Sequence, residues 1–206
     1  VHKHGYVRPY SGMTGYDGIV ARVESAMDDP EVKGILLDID SPGGEVSGLF
    51  DAVDTIKRLG EQKPIWSLCY DNACSAAFAI ASASQRRLIT QSGVSGSVGV
   101  IMAHVSHEKE LKDKGRRVTL VYSGSHKADG NPYSDLPKET LQRFQSEIDA
   151  MRNQFAQLIA GNTGMSLDAV LNTEAATFRG QAAIDIGFAD QMVNGHEAIQ
   201  LFADYL

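Results

Sequence analysis

The sequence predicts an α/β fold with one mostly parallel sheet, on three observations. Two short, nearly continuous apolar runs, residues 34–40 (GILLDID) and 64–70 (PIWSLCY), are of the kind that fills parallel strands covered on both faces. Amphipathic helical stretches lie between and after them. Strand, turn and helix then keep alternating, as βαβ units with crossover connections do.

Taken in order, residues 1–16 read as an extended N-terminal segment, rich in Gly, Tyr and Ser from residue 5. From Asp17, Ile19, Val20, Val23 and Met27 recur at helical spacing, and Asp28-Asp29-Pro30 ends that helix. The strand at 34–40 leads into the turn Ser41-Pro42-Gly43-Gly44, from which a helix departs over 45–59. The strand at 64–70 follows, then a helix opened by Ser75 and built from the small residues Ala76, Ala77, Ala79 and Ala81 around Phe78 and Ile80. Strands are predicted over 86–90, 97–105 and 118–123, with a charged helix over 106–115. Residues 17–137 thus form the core of a single domain spanning 1–206.

A polar loop, 124–137, leads into the C-terminal helical extension, 138–206. Its long helix over 138–159 carries Leu141, Phe144, Ile148, Met151 and Phe155 on one stripe, which reads as core or subunit contact. Residues 177–193 predict a short helix, a turn at Gly187 and a final edge strand. The last helix, from His196, reads as peripheral.

Length and composition bound the function. A chain of 206 residues can bury one sizeable α/β core. A net charge of −7 and a pI near 5.3 give no basic footprint, so nucleic acid is not an expected partner. No apolar stretch approaches the ~18 residues that span a bilayer, and Val1-His2-Lys3-His4 lacks the apolar core of a signal peptide, so no membrane partner is expected. The two cysteines, Cys69 and Cys74, are too close in sequence to staple a fold. No second CxxC or histidine pair completes a zinc site, so neither a metal nor a cofactor is expected.

Ser75 is the centre of the chemical reading. A hydroxyl at a strand-to-helix junction lies beside the free N–H groups that open a helix, which suits an oxyanion. Its plain alternative is an N-cap. Ligands gather at the carboxyl ends of parallel strands, where Ser41-Pro42-Gly43-Gly44, Ser75 and the loop 123–131 all fall. Paired glycines let backbone N–H groups face a substrate, or simply make a tight turn.

A serine needs a base to become a nucleophile. Among the histidines, His2, His4 and His196 lie near the ends, His107 falls in the charged helix, and His104 ends an apolar strand as a satisfied core residue would. His126 lies in the polar loop with no evident acidic partner. Gly93-Val94-Ser95-Gly96-Ser97 lacks the last glycine of the esterase motif. Lys127 is the other candidate, flanked by small residues that would let its loop fold inward; a lysine base works near neutral pH only when desolvated away from a carboxylate.

Four ordered motifs, DIDSPGGEV (38–46), ACSAAFAIAS (73–82), SGSVGV (95–100) and SGSHKADGNPY (123–133), together resemble the S49 serine peptidases, the signal peptide peptidase A and protease IV group. Within it the chain is most similar to the bacteriophage head maturation, or capsid assembly, branch, over roughly residues 10–193. The resemblance implies a ClpP/crotonase-like fold and a serine endopeptidase with a Ser/Lys dyad. Ser75 corresponds to the nucleophile and Lys127 to the general base, with Ser97 orienting the lysine amine. Gly44, with Gly43 adjacent, and Ala76 correspond to the oxyanion-hole donors. The implied partners are peptide or protein substrates, scaffold and procapsid proteins in a phage, and further copies of the chain in a ring, in the host cytoplasm or procapsid.

The family's usual first strand has no counterpart here, as expected of a chain trimmed at its N-terminus; the membrane anchor of the bacterial members has none either, which favours the phage branch. Three other readings stand beside it: a bacterial peptidase degrading residual signal peptides in the cytoplasm, an inactive structural ring component, and an acyl-CoA hydratase or isomerase on the crotonase fold. Cys74 is a rival nucleophile.

Overall fold

The computed structural model describes residues 13–206. Residues 1–12 of the expected extended segment, His2 and His4 among them, lie outside the described residues. In chain order the elements are α1 (Tyr16–Asp28), β1 (Ile35–Ser41), α2 (Leu49–Leu59), β2 (Ile65–Cys74), α3 (Ala76–Ser82), β3 (Arg86–Ile89), β4 (Val94–Gly96) and α4 (Glu108–Asp113). There follow α5 (Lys138–Thr163), α6 (Leu167–Leu171), β5 (Thr177–Arg179), α7 (Gln181–Asp185), β6 (Gln191–Met192) and α8 (Ala198–Tyr205). These form two compact units, the first running to Gly99 and resuming at Phe155–Leu206, the second being Val100–Gln154.

The six strands among the described residues belong to the first unit, and β2 is their hub. It pairs in parallel with β1 from Ile35↔Ile65 to Ile39↔Cys69, and with β3 from Trp66↔Arg86 to Cys69↔Ile89. Its far end pairs in parallel with β4, from Asn72↔Val94 to Cys74↔Gly96. β6 adds in parallel to β3 at one edge, while β5 runs antiparallel to β4. The sheet is therefore mostly parallel, as the apolar runs predict. Val53, Ile56, Ile65, Phe78, Ala79, Ile89, Ile159, Val170 and Phe188 close the core around it.

A bulge in β2 sets up the site. Between Ile39 and Ser41 the partner on β2 moves from Cys69 to Ala73, so β2 carries two extra residues around Tyr70, Asp71 and Asn72. Here β3 gives way to β4 through a turn in which Thr90 Oγ1 donates to the Tyr70 carbonyl (2.7 Å) and accepts from Gly93 N–H (2.9 Å). Gly93 lies so close that a Cβ on it would stand 2.6 Å from the Cys69 carbonyl oxygen, and only glycine fits.

Several elements differ from expectation for physical reasons. α1 begins at Tyr16, which is 1% exposed and part of the core rather than of an extended segment. α2 starts four residues late because Gly48, at φ +80°, holds the chain in a left-handed turn before Leu49. The final helix is not peripheral: α8 buries Ala198 and Phe202 in a second cluster with Trp66, Leu68 and Leu88. The Trp66 ring lies 5.1 Å from that of Phe202 and 4.7 Å from that of Tyr205, with the Arg86 guanidinium 4.9 Å over its centre.

The expected strands at 97–105, most of it in the second unit, and at 118–123, wholly in it, do not form. Among the described residues no backbone group of 100–106 or 117–123 hydrogen-bonds another backbone group, and Ile101 and Val121 are 96% and 95% exposed. Their β-rich composition states a preference that becomes a strand only with a partner. α5 begins in this unit, where Leu141 and Met151 are exposed, and its last turns bury Phe155, Ala156 and Ile159 in the first. Among the described residues no helix is long and apolar enough to cross a membrane.

Candidate active site

Ser75 follows directly on β2 and adopts φ 52°, ψ −124°, a region that residues with a Cβ occupy only under strain. The strain is held in place by neighbours on both sides: Ser75 N–H donates to the Gly96 carbonyl at 2.7 Å, and the Ser75 carbonyl accepts from Ala79 N–H at 3.0 Å. A serine that merely capped α3 would turn its Oγ back to an N–H of the first turn. Ser75 makes no such bond, so the N-cap reading fails. Among the described residues of its own unit its Oγ has no hydrogen-bond partner, and the residue is half-buried.

The turn after β1 comes up against this hydroxyl. Gly43, at φ +137°, lies so near that a Cβ on it would meet Ser75 Cβ at 2.8 Å and Ser75 Oγ at 3.2 Å. Ser41 Oγ–H donates to the Gly43 carbonyl at 3.1 Å and accepts from Gly43 N–H at 3.3 Å, holding the turn from the β1 side. On its other side Tyr16 Oη–H donates to the Glu45 carbonyl at 2.6 Å. Between the two, Gly44 is exposed and its N–H has no acceptor among the described residues; the N–H of Ala76 likewise has none, although that residue is 2% exposed. Ser97 joins this group through its neighbour Gly96, the acceptor for Ser75; it is half-buried and also has positive φ, 58°.

Along β1 runs a cleft of about 360 Å³, lined by residues 35–41, by Ile19 and Val23 of α1, and by Ala77 and Ile80 of α3. Its lining includes Ser41, which opens the turn, and Ala77, two residues after Ser75 in the chain. Cys69 and Cys74 both direct Sγ at the Val94 carbonyl, at 3.3 and 3.6 Å. Burial pushes the Cys69 thiol up to about 12 and raises that of Cys74, so both stay protonated near neutral pH. This weighs against Cys74 as the nucleophile.

Lys127 belongs to the second unit, on a loop built from successive tight turns: Lys127 N–H donates to Gly124, Asp129 N–H to His126, and Asn131 N–H to Ala128. Its side chain is exposed. The loop is tied to α5 by Asp129, which pairs with Arg143 and accepts from Thr140 Oγ1 at 3.4 Å. Asp129 also faces His126, Oδ2 to Nδ1 at 2.9 Å. The hydrogen bond from His126, with that from Arg143, holds the Asp129 carboxyl below the usual carboxylate range. His126 therefore does have an acidic partner, contrary to expectation; the signal is H-x-x-D spacing, which brings the two side chains together only once the turn closes. His104 is satisfied by the Asn131 carbonyl at 2.9 Å, as expected. Tyr16 carries no local signal of this role in the sequence, and Ser41 is visible there only as the first residue of the Ser41-Pro42-Gly43-Gly44 turn.

A strained serine at the end of a parallel strand, with an open hydroxyl and backbone donors around it, has the make-up of a serine hydrolase site. Residues 57–205 match the sequence profile of peptidase family S49, and the chain belongs to that family. It is 54% identical over 206 residues to the head-tail preconnector protein GP5 of Enterobacteria phage P21, covering 100% of this chain and 41% of that protein. It is 52% identical over 200 residues to the capsid assembly protease C of Escherichia phage lambda, covering 97% and 46%. A putative signal peptide peptidase of Enterococcus faecium is 23% identical over 189 residues, covering 89% and 54%. The chain spans less than half the length of the two phage relatives.

Proposed function

We propose that the protein is a serine endopeptidase of phage head maturation, cleaving scaffold and capsid proteins in the procapsid or host cytoplasm through a Ser75/Lys127 dyad. The observation that carries this reading is the elbow at Ser75: strain is retained at a serine whose hydroxyl makes no structural bond. In the proposed mechanism a desolvated Lys127 takes the Ser75 proton, with Ser97 orienting the amine, and later returns it to the leaving amine. Gly44 and Ala76 N–H groups receive the developing oxyanion, and Gly43 leaves room for the substrate backbone beside Ser75. A peptide adding as an extended strand beside the Gly43-Gly44 turn would have the β1 cleft at hand for an apolar side chain. The mostly parallel sheet is in keeping with a ClpP/crotonase-like fold, with residues 1–206 acting as one peptidase domain. In the ring that the family resemblance suggests, a neighbouring copy would supply cover for an exposed Lys127.

A second reading has one observation in its favour. The pair His126 and Asp129 has the geometry of a base and its orienting carboxylate, so His126 in place of Lys127 would make a Ser-His-Asp site. The experiment for the main reading is cleavage of procapsid proteins, together with covalent labelling by a fluorophosphonate, in wild type and Ser75→Ala. Turnover and labelling that vanish with the hydroxyl while the folded protein persists support it; turnover that survives Ser75→Ala sinks it.

A further inference from the structure

The turn that brings Gly43 against Ser75, and carries Gly44 next to it in the chain, has no helix or strand of its own between the end of β1 and the start of α2. A backbone donor can stabilise a transition-state oxyanion only if its direction is fixed beforehand, since misplacement of about 1 Å can cost about a hundredfold in rate. The turn is held at Gly43 by Ser41 Oγ and at Glu45 by the phenol of Tyr16, with Gly44 between them. Tyr16 is itself rigid, 1% exposed in the first turn of α1 and packed in the main core. Its hydroxyl reaches across 29 residues of sequence to a carbonyl one residue beyond the candidate oxyanion donor.

We propose that Tyr16 is a positioning residue for peptide hydrolysis, fixing the direction of the Gly44 N–H from behind while Ser41 fixes it from in front. This rests on the proteolytic reading of Ser75 given above. A merely structural role is distinguishable on physical grounds. Glu45 is exposed, a phenylalanine ring would refill the same core site, and one hydrogen bond to a carbonyl is worth only about 1 kcal/mol net. Stability should therefore change little while alignment of the donor is lost. Burial and the nearby Glu45 charge raise the Tyr16 phenol to about 12, so it remains a donor throughout the working pH range.

The test compares wild type with Tyr16→Phe on one peptide substrate, measuring kcat, KM and the affinity of a peptide boronate, whose tetrahedral adduct places an oxygen where the oxyanion forms. The expected result is a fall in kcat of about ten- to a hundredfold, boronate affinity falling in step, KM within about twofold and an unchanged melting temperature. Replacing Tyr16 by 4-aminophenylalanine, which keeps a donor at the ring tip, should restore most of kcat. An unchanged kcat, a change confined to KM, or a Tyr16→Phe protein that fails to fold overturns the proposal. Absence of any Ser75-dependent cleavage in wild type removes the proteolytic reading itself; its presence alongside an unaffected Tyr16→Phe removes only this inference.

Discussion

Ser75 and Gly43 touch: the space a side chain would need on the glycine is already taken by the Cβ and Oγ of the serine, 2.8 and 3.2 Å from where a Cβ would stand. The contact joins the end of β1 to the end of β2, and it makes residue 43 a direct reporter on the candidate nucleophile. Gly43→Ala is expected to slow fluorophosphonate labelling of Ser75 by at least about a hundredfold, because the methyl both strains φ +137° and invades the approach to Oγ. Far-ultraviolet circular dichroism should stay near that of wild type. Labelling at the wild-type rate would mean the glycine is not beside the reacting atom.

The strain at Ser75 predicts a separation of stability from activity. Relief of a strained backbone is worth about 1–3 kcal/mol, against a cost of about 0.5–1 kcal/mol for the extra freedom of glycine in the unfolded chain. Ser75→Gly should therefore be about 1 kcal/mol more stable than Ser75→Ala, both being inactive. Urea denaturation midpoints of the two variants decide it; equal midpoints would show that the backbone there is relaxed.

The two candidate bases are adjacent in the chain but separable, because each can be replaced alone and His126 is the one bonded to Asp129. Lys127→Met should reduce turnover by at least about a thousandfold, whereas His126→Ala should leave most of it, losing only the hydrogen bond to Asp129. The reverse ranking, measured as kcat on a common peptide, transfers the role of base to His126.

α8 should behave as core. Phe202→Ala removes a ring packed on Trp66 and is expected to cost about 3–5 kcal/mol, read as a fall in melting temperature. A change below about 1 kcal/mol would return the helix to the periphery.

Alkaline pH should weaken the fold in a defined window. The Cys69 thiol is raised from 9.0 to about 12 and the Tyr16 phenol from 10.0 to about 12, so the folded protein holds both protons after the unfolded chain has released them. Their contribution to stability is complete below about pH 9 and declines as pH rises toward about 12. Denaturation free energies measured from pH 8 upward should fall, and Cys69→Ala should flatten that fall from its onset while Tyr16→Phe flattens only the upper part. Variants with the slope of wild type would contradict it.

The parallel strands β1 and β2 and the strand-to-helix junction at Ser75 were legible because they rest on local pattern: apolar runs at 34–40 and 64–70, and a switch from strand to small-residue helix at Ser75. The strain at Ser75 was not legible, since it comes from the Gly96 carbonyl on another strand. Tyr16 was missed because it closes a segment of Gly, Tyr and Ser, and only the packing of α1 shows that it is core. Asp129 was passed over because i,i+3 neighbours meet in a turn only when its geometry is known. For α8 the signal was present: Ala198, Leu201, Phe202 and Tyr205 recur at helical spacing, and nearness to the end of the chain obscured it.

Residues 100–106 and 117–123 present peptide groups that no other backbone group among the described residues claims, and exposed apolar side chains such as Ile101 and Val121. Ribbons of this kind recruit others like themselves. A concentrated sample of the isolated chain is therefore expected to be sticky, drifting from monomer to assemblies as it is concentrated, and dilution should reverse that drift while the pairing is still fresh.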